Sequence, residues 1–410
     1  MKVLTLSTVF PNAAHPMLGP FVFERIRHAA KHADVRVIAP IAWFRRKSGV
    51  PRSSSRSNLQ IEHPTFFYIP GALKFLDGVF LFLSILPRVR RLRREFPFDL
   101  IDAHFGFPDG VAAVLLGRWF RRPVVITLRG SEHQFVEYWF RRMAMRWALR
   151  RATRVIALSR PLAALAERLG VNPRRVEVIE NGVDSDKFKP MAAAEARRLV
   201  KVDGSNRLLA CVGHLVPLKG FHRIIGALPV LHEEFPDLTL VVVGGSASAS
   251  GKYPQQLQRL VGDLGLSRHV IFTGALPGER VAEWLNASDL FVLCSDREGC
   301  PNVVWEAMAC GRPVVSPKVG AVEHMVPPEA GILFESPSDS LALLQSVSTA
   351  LKMNWDSKRI RKHAEEHTWE RVASRVMRQW RLSVENPVDA SDETAVRESG
   401  IEHPLSGDRS

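Results

Sequence analysis

Two carboxylates and one ammonium stand where a phosphorylated sugar could be held. Glu298 and Glu306 lie eight positions apart in DREGCPNVVWEAMACGRPVV (296–315). The pattern puts Glu298 in a loop and Glu306 on the second turn of a helix, with Pro301 suited to that helix's first position. Upstream, GHLVPLKG (213–220) joins the apolar run LLACV to a helical pattern opening at Phe221. Gly213 and Gly220 permit tight turns and close backbone approach, and Lys219 stands beside a helix N-terminus, where phosphate is favoured. A carboxylate fixed on a helix, such as Glu306, can accept two hydrogen bonds from a ribose diol. Glu298, with the amides of Gly299, Cys300 and Asn302, can hold sugar hydroxyls and an adjacent phosphate. The chemistry this suggests is a grip on a sugar diphosphate, not the paired acid and base of a glycosidase.

Such groups need a rigid frame, and the chain supplies short apolar runs alternating with helix-length periodic segments, the pattern of a parallel-sheet α/β protein. Strands are expected near 3–7, 35–39, 100–103, 124–128, 155–158 and 176–179. A second series is expected near 208–212, 238–243, 270–272, 290–293 and 314–316. In open parallel sheets ligands bind beyond the carboxyl ends of strands, which is where both motifs fall. At 410 residues the chain exceeds what one core usually serves. Pro190, Gly204, Ser205 and Asn206 interrupt the periodicity between the two series. The expected organisation is a first domain over 1–190, a second over 200–367 and an amphipathic last helix over 368–385. A disordered tail is expected over 386–410, where aromatic residues and apolar periodicity cease.

Composition is that of a globular protein, 46% hydrophobic and 24% charged, but the charge is unevenly placed. Residues 1–200 hold 34 Lys and Arg against 16 Asp and Glu, while 201–410 hold 22 against 26. The first half is therefore suited to something anionic. Cys211, Cys294, Cys300 and Cys310 lack C-x-x-C spacing and read as reduced core thiols. The start, MKVLTLSTVF, reads as a first strand rather than a signal peptide, giving a cytoplasmic expectation. The longest apolar run, GVFLFLSIL (78–86), is too short to cross a bilayer. No metal-ligand cluster is apparent in the sequence.

With these residues in view, GHLVPLKG and EGCPNVVWEAMACGRPVV together resemble the signature of the retaining, metal-independent glycosyltransferases of family 4. The Glu298 to Glu306 spacing is the most specific mark. The resemblance runs from STVFPN (7–12) through VIENGVDSDKF (178–188) to TWERV (368–372). It implies a GT-B fold: two Rossmann-like doubly wound domains facing across a cleft, with a C-terminal helix returning to the first. By position it implies that Lys219 neutralises a donor diphosphate, Glu306 binds ribose and Glu298 contacts the transferred sugar, with Gly213, His214 and Val303 in the donor shell. Gly19, in MLGPF, would let the first loop approach the donor phosphate. No cofactor or metal is implied beyond the nucleotide sugar. Two departures stand out. His214 occupies the place of the family's arginine, replacing a permanent cation by one that charges near pH 6.5 or below. The family's H-G-x-[DE] motif reads RGSE (129–132), so Arg129 cannot accept a proton there, although it could stabilise a phosphate or carbonyl oxygen.

In this family the first domain takes the acceptor, and that is where the basic charge lies. RVRRLRR (88–94), with Arg88, Arg90 and Arg91, follows GVFLFLSIL; YWFRRMAMRWALRRATR (138–154), with Arg141 and Arg142, mixes arginine with Tyr138, Trp139, Phe140 and Trp147. Basic helices carrying such aromatics suit an anionic membrane surface. The expectation is a saccharide or polyprenyl-diphosphate-linked acceptor reached from the cytoplasmic face. Two other readings are weaker. A nucleotide-sugar 2-epimerase would need acid and base carboxylates in the crevice, and a nucleic-acid-binding protein rests on charge alone, with no supporting motif.

Overall fold

The computed structural model describes residues 1–46, 50–71, 73–202, 206–246 and 251–386. Runs such as VVITL and TLVVV are dominated by apolar residues because the strands they form, Val124–Leu128 and Thr239–Val243, are buried at every position and covered on both faces. The first sheet orders its strands Val176–Val178, Arg154–Ala157, Val124–Leu128, Leu100–His104, Lys2–Leu6, Asp34–Ile38, Leu59–Glu62 and Ser53–Arg56. All neighbours are parallel except the last pair. The second sheet is wholly parallel, in the order Val270–Gly274, Thr239–Val243, Leu208–Val212, Leu290–Val292, Val314–Pro317 and Gly331–Phe334.

Strand order reverses at Lys2–Leu6 in one sheet and at Leu208–Val212 in the other. The loops leaving these strands, 7–19 and 213–220, therefore open at topological switch points, where a doubly wound sheet leaves a crevice. Both loops end on a left-handed glycine that caps the next helix. Gly19 has φ 64° before Pro20–Ala29, and Gly220 has φ 64° before Phe221–Glu234. A Cβ on Gly19 would lie 2.5 Å from the Val9 carbonyl oxygen, and one on Gly220 would lie 2.1 Å from that of Cys294. Only glycine meets both demands at these places.

Helix Trp369–Glu385 crosses back onto the first domain. Val372, Val376 and Trp380 share a buried cluster with Val22, Ile26 and Val37. The indole N–H of Trp380 donates to Asp102 Oδ1 at 3.2 Å. The crossing begins where the Val183 amide donates to the His367 carbonyl at 2.9 Å.

Strands Ser53–Arg56, Leu59–Glu62 and Gly331–Phe334 are additions to the expected set. The first two form a hairpin whose turn residues, Ser57 and Asn58, both have positive φ, 51° and 64°. Pro301 also differs from expectation: it caps helix Asn302–Ala309 with an extended backbone instead of opening its first turn. All four cysteines are free and buried. The expected tail lies outside the described residues, except Asn386.

Candidate functional site

The Lys219 loop is clamped to the strand that leads to Glu298. Arg223, in the helix after Gly220, donates to the Cys294 carbonyl at 2.8 Å and pairs with Asp296 at 2.5 Å, while the Asp296 amide donates to the Leu218 carbonyl at 2.9 Å. That docking brings Lys219 Nζ to 2.6 Å from Glu298 Oε1, across 79 residues of sequence. Both side chains are largely buried, so the pair is shielded from the screening that weakens surface ion pairs. An ammonium has three N–H donors. One contact with Glu298 leaves two for a diphosphate, and the carboxylate keeps its second oxygen for a hydroxyl.

His214, exposed in the same loop, is held below its ordinary pKa by loss of hydration and then by the Lys219 charge. It is thus neutral at pH 7 and adds no permanent cation. Glu306, half-buried on helix Asn302–Ala309, is pushed up to about 7, first by burial. Lys187 acts against that shift and Glu24, from the first domain's opening helix, adds to it. Val303 is half-buried on the same helix. Burial pushes the Cys300 thiol up to about 12, which leaves it a thiol and no nucleophile.

Residues of the first domain close over this loop. A Cβ on Gly299 would lie 2.2 Å from the Arg129 carbonyl oxygen, and one on Gly130 would lie 3.1 Å from Gly299 Cα. Backbone therefore meets backbone across the two domains. The Glu132 carboxylate fixes the RGSE turn by accepting from the amides of Arg129 at 3.0 Å, Gly130 at 2.7 Å and Gly106 at 2.9 Å. Arg129 does not reach for a substrate as expected. Its side chain turns inward, 6% exposed, because buried acceptors engage all three of its nitrogens. Nε and Nη2 donate to His104 Nδ1 at 3.1 and 2.8 Å, and Nη1 donates to Asn181 Oδ1 at 3.4 Å.

Sequence reasoning missed this buried polar chain. Because Nδ1 of His104 accepts from Arg129, its proton sits on Nε2, 3.0 Å from Asp102 Oδ2. Burial lowers His104 to about 4, so it is neutral. Asn181 is the pivot between domains: its side-chain amide donates to Asn302 Oδ1 at 2.8 Å and its backbone amide to Cys300 Sγ at 3.4 Å. Arg25 also donates to its Oδ1 at 3.4 Å. The available signal was Asp102 and His104, ionisable residues alternating along a strand that is otherwise apolar.

A cavity of about 450 Å³ opens beside Glu298, lined by His133, Glu137 and Pro161 from the first domain and Arg297, Glu298 and Lys318 from the second. A larger hollow of about 740 Å³ lies between 184–195 and helix Gly278–Ala287 and does not include Glu298; Lys219 and Glu306 line neither cavity. Among the described residues no cluster of metal-ligand type is present and no helix is long and apolar enough to cross a membrane.

Of the basic residues expected to meet a membrane, Arg88 is tied to Glu62 by two bonds, one of 2.6 Å, and so is no free surface cation. Arg90 and Arg91 are exposed on the same helix, with Arg90 over the Trp119 ring at 6.0 Å. Arg141 and Arg142 stack on Tyr138 and Trp139 at 4.7 and 5.0 Å.

Comparison with known proteins agrees with this fold. A Mycolicibacterium smegmatis GDP-mannose-dependent alpha-(1-6)-phosphatidylinositol monomannoside mannosyltransferase is 32% identical over 75% of this chain and 78% of its own. Bacillus subtilis TuaC, named as a teichuronic acid biosynthesis glycosyltransferase, is 28% identical over 85% and 88%. Among solved structures, sucrose-phosphate synthase from Thermosynechococcus elongatus superposes with a TM-score of 0.78 at 20% identity, covering 93% of this chain and 98% of that one. Anabaena HepE in complex with UDP superposes with a TM-score of 0.73 at 22% identity, covering 93% and 99%. The fold is GT-B. Residues 18–187 match Glycosyltransferase Family 4 and residues 193–367 match Glycosyl transferases group 1, and the chain belongs to this glycosyltransferase family.

Proposed function

We propose that this enzyme moves a hexosyl group from a nucleotide-diphosphate sugar to a saccharide or lipid-linked acceptor, with retention of anomeric configuration, in surface polysaccharide biosynthesis. The observation that carries the reading is the 2.6 Å contact of Lys219 with Glu298 beside a cavity walled by both domains. Relatives named for teichuronic acid biosynthesis and for mannosyl transfer to a phosphatidylinositol monomannoside support the biosynthetic setting. HepE structures with UDP and UDP-glucose support a nucleotide-sugar donor.

In this reading Lys219 neutralises the diphosphate, Glu306 accepts from the ribose diol, and Glu298 holds the transferred sugar. Gly213, Gly299, Cys300, Asn302 and Val303 present backbone to the donor, and Gly19 lets the first loop close on its phosphates. The acceptor hydroxyl forms its bond to C1 on the face from which the diphosphate departs. The C1–O electron pair leaves with the diphosphate, whose oxygen takes the acceptor's proton. No protein base is needed, so positioning and charge stabilisation make up the protein's contribution. No metal is needed either, since Lys219 supplies the charge. Arg129 acts through His104 and Asn181 to set the loop against the second domain.

Two measurements test this. Thermal-shift titration with UDP, GDP and ADP, with and without magnesium, should show stabilisation by one of them that does not depend on the metal; no shift with any, or a shift only with magnesium, would reject the donor assignment. Lys219→Ala should lose about 2–4 kcal/mol of transition-state stabilisation. Near-normal turnover in that variant would remove Lys219 from the chemistry.

A further inference from the structure

Large aromatic side chains are concentrated on one exposed face of the first domain. Trp43 is 47% exposed, Phe67 55%, Tyr138 59%, Trp139 60% and Phe140 62%. Side chains left this open do no core packing, and a contiguous set of them marks an interaction surface. Here the set is contiguous. Trp43 stacks on Phe67 with centroids 5.9 Å apart, and its indole donates to the Tyr68 carbonyl at 3.0 Å. Lys74 lies 3.9 Å over the Tyr68 ring, and the neighbouring Phe75 meets Phe140 at 5.1 Å. Segments far apart in sequence thus build one shelf, which ends on helix Trp139–Arg151.

Its rim is cationic. Arg141 and Arg142 lie against Tyr138 and Trp139, and among the described residues neither has a carboxylate within ion-pair distance. Guanidinium groups stacked on exposed rings fit a boundary where rings enter an apolar phase while charges meet anionic headgroups. The shelf also adjoins the site: Glu137 lines the cavity beside Glu298 and directly precedes Tyr138.

We propose that this shelf, running from Trp43 and Phe67 to Trp139 and Phe140 with Arg141 and Arg142 at its rim, docks on an anionic lipid bilayer. Docking there presents a lipid-borne acceptor to the cavity beside Glu298. The inference rests on the proposed lipid-linked acceptor, and it extends the expected basic, aromatic helix to a shelf that includes Trp43 and Phe67. Charge attraction weakens as salt rises, whereas aromatic burial does not, so binding should have a part that survives high salt.

The test is cosedimentation of the full chain with vesicles of phosphatidylcholine alone or mixed with phosphatidylglycerol, at low and high salt and without nucleotide. The wild type should bind the anionic vesicles, keep part of that binding at high salt, and show a blue-shifted tryptophan emission. A Trp139→Ser, Phe140→Ser double variant should lose about tenfold or more of its partitioning. Its nucleotide-induced thermal shift should match the wild type, which shows that it is folded. Equal partitioning of wild type and variant, or no wild-type binding to anionic vesicles, would overturn the proposal. So would a lipid-free dimer that the variant abolishes, since the shelf would then serve a second copy of the chain. A missing nucleotide shift with intact vesicle binding would sink the donor assignment and leave the shelf standing.

Discussion

At the scale of single residues, Glu306 and His214 in the donor shell should make nucleotide binding depend on pH with opposite signs. Glu306 is raised to about 7, and its carboxylate form accepts from both ribose hydroxyls, whereas the protonated form gives up one acceptor. Acidification below pH 7 should therefore weaken nucleoside diphosphate binding, by at most about tenfold per pH unit. His214 would strengthen phosphate binding as it gained a proton, but its pKa is lowered, so that gain comes only at more acidic pH. Calorimetric titration between pH 6 and 8 should show affinity rising with pH, with a weaker slope in Glu306→Gln; an unchanged slope would assign the titration elsewhere. His214→Arg should add a permanent charge-assisted contact of about 1.5 kcal/mol, roughly tenfold in affinity. The elements that carry Lys219, Glu298 and Glu306 were legible because loop and helix follow locally from the sequence, and the structure brings Lys219 and Glu298 into contact. Arg129 was not. Its direction is decided by His104 and Asn181, 25 and 52 residues away, and nothing local announces either partner.

At the scale of elements, strand Leu100–His104 carries the polar chain that joins the C-terminal helix to the donor loop. Trp380 holds Asp102, Asp102 faces His104, His104 accepts from Arg129, and Arg129 meets Asn181, which bonds Asn302. Every member is buried or half-buried, so a missing partner costs desolvation as well as a bond. Asn181→Ala would leave the Arg25 and Arg129 guanidiniums without their shared acceptor and Asn302 without its donor. The expected cost is about 2–3 kcal/mol of stability, read from denaturant or thermal unfolding. A loss below about 0.5 kcal/mol would mean that water replaces the side chain without penalty. The parallel strands were readable because burial on both faces demands continuous apolar runs. The Ser53–Arg56 and Leu59–Glu62 hairpin was not, since its outer strand is polar at the sheet edge and its turn uses Ser57 and Asn58 without glycine. Gly331–Phe334, the edge strand beside Val314–Pro317, was missed as well.

At the scale of the whole molecule, catalysis depends on how closely the domains meet, and Gly299 is the gauge of that distance. The domains share buried apolar packing, with Val183, Phe188, Cys300 and Val304 in one cluster with both sheets, so their relation is set by packing at a crevice. At the crevice itself the tolerance is smallest. Gly299 has no side chain where one would meet the Arg129 carbonyl oxygen at 2.2 Å, well inside van der Waals contact. Gly299→Ala must therefore push the RGSE turn away from the donor loop, and Glu132, holding two amides of that turn and tying it to the Gly106 amide, resists local yielding. The displacement falls on the cleft. A reacting geometry misplaced by about 1 Å can cost about a hundredfold in rate, while Lys219 and Glu306 remain together on the second domain to bind nucleotide. The variant should keep nucleoside diphosphate affinity within about threefold, or about 0.7 kcal/mol. Transfer should fall by much more, with small-angle scattering reporting a more open molecule. Equal losses in affinity and turnover would place the damage in the donor loop instead, and unchanged turnover would show that the crevice has slack that the close backbone approach does not reveal.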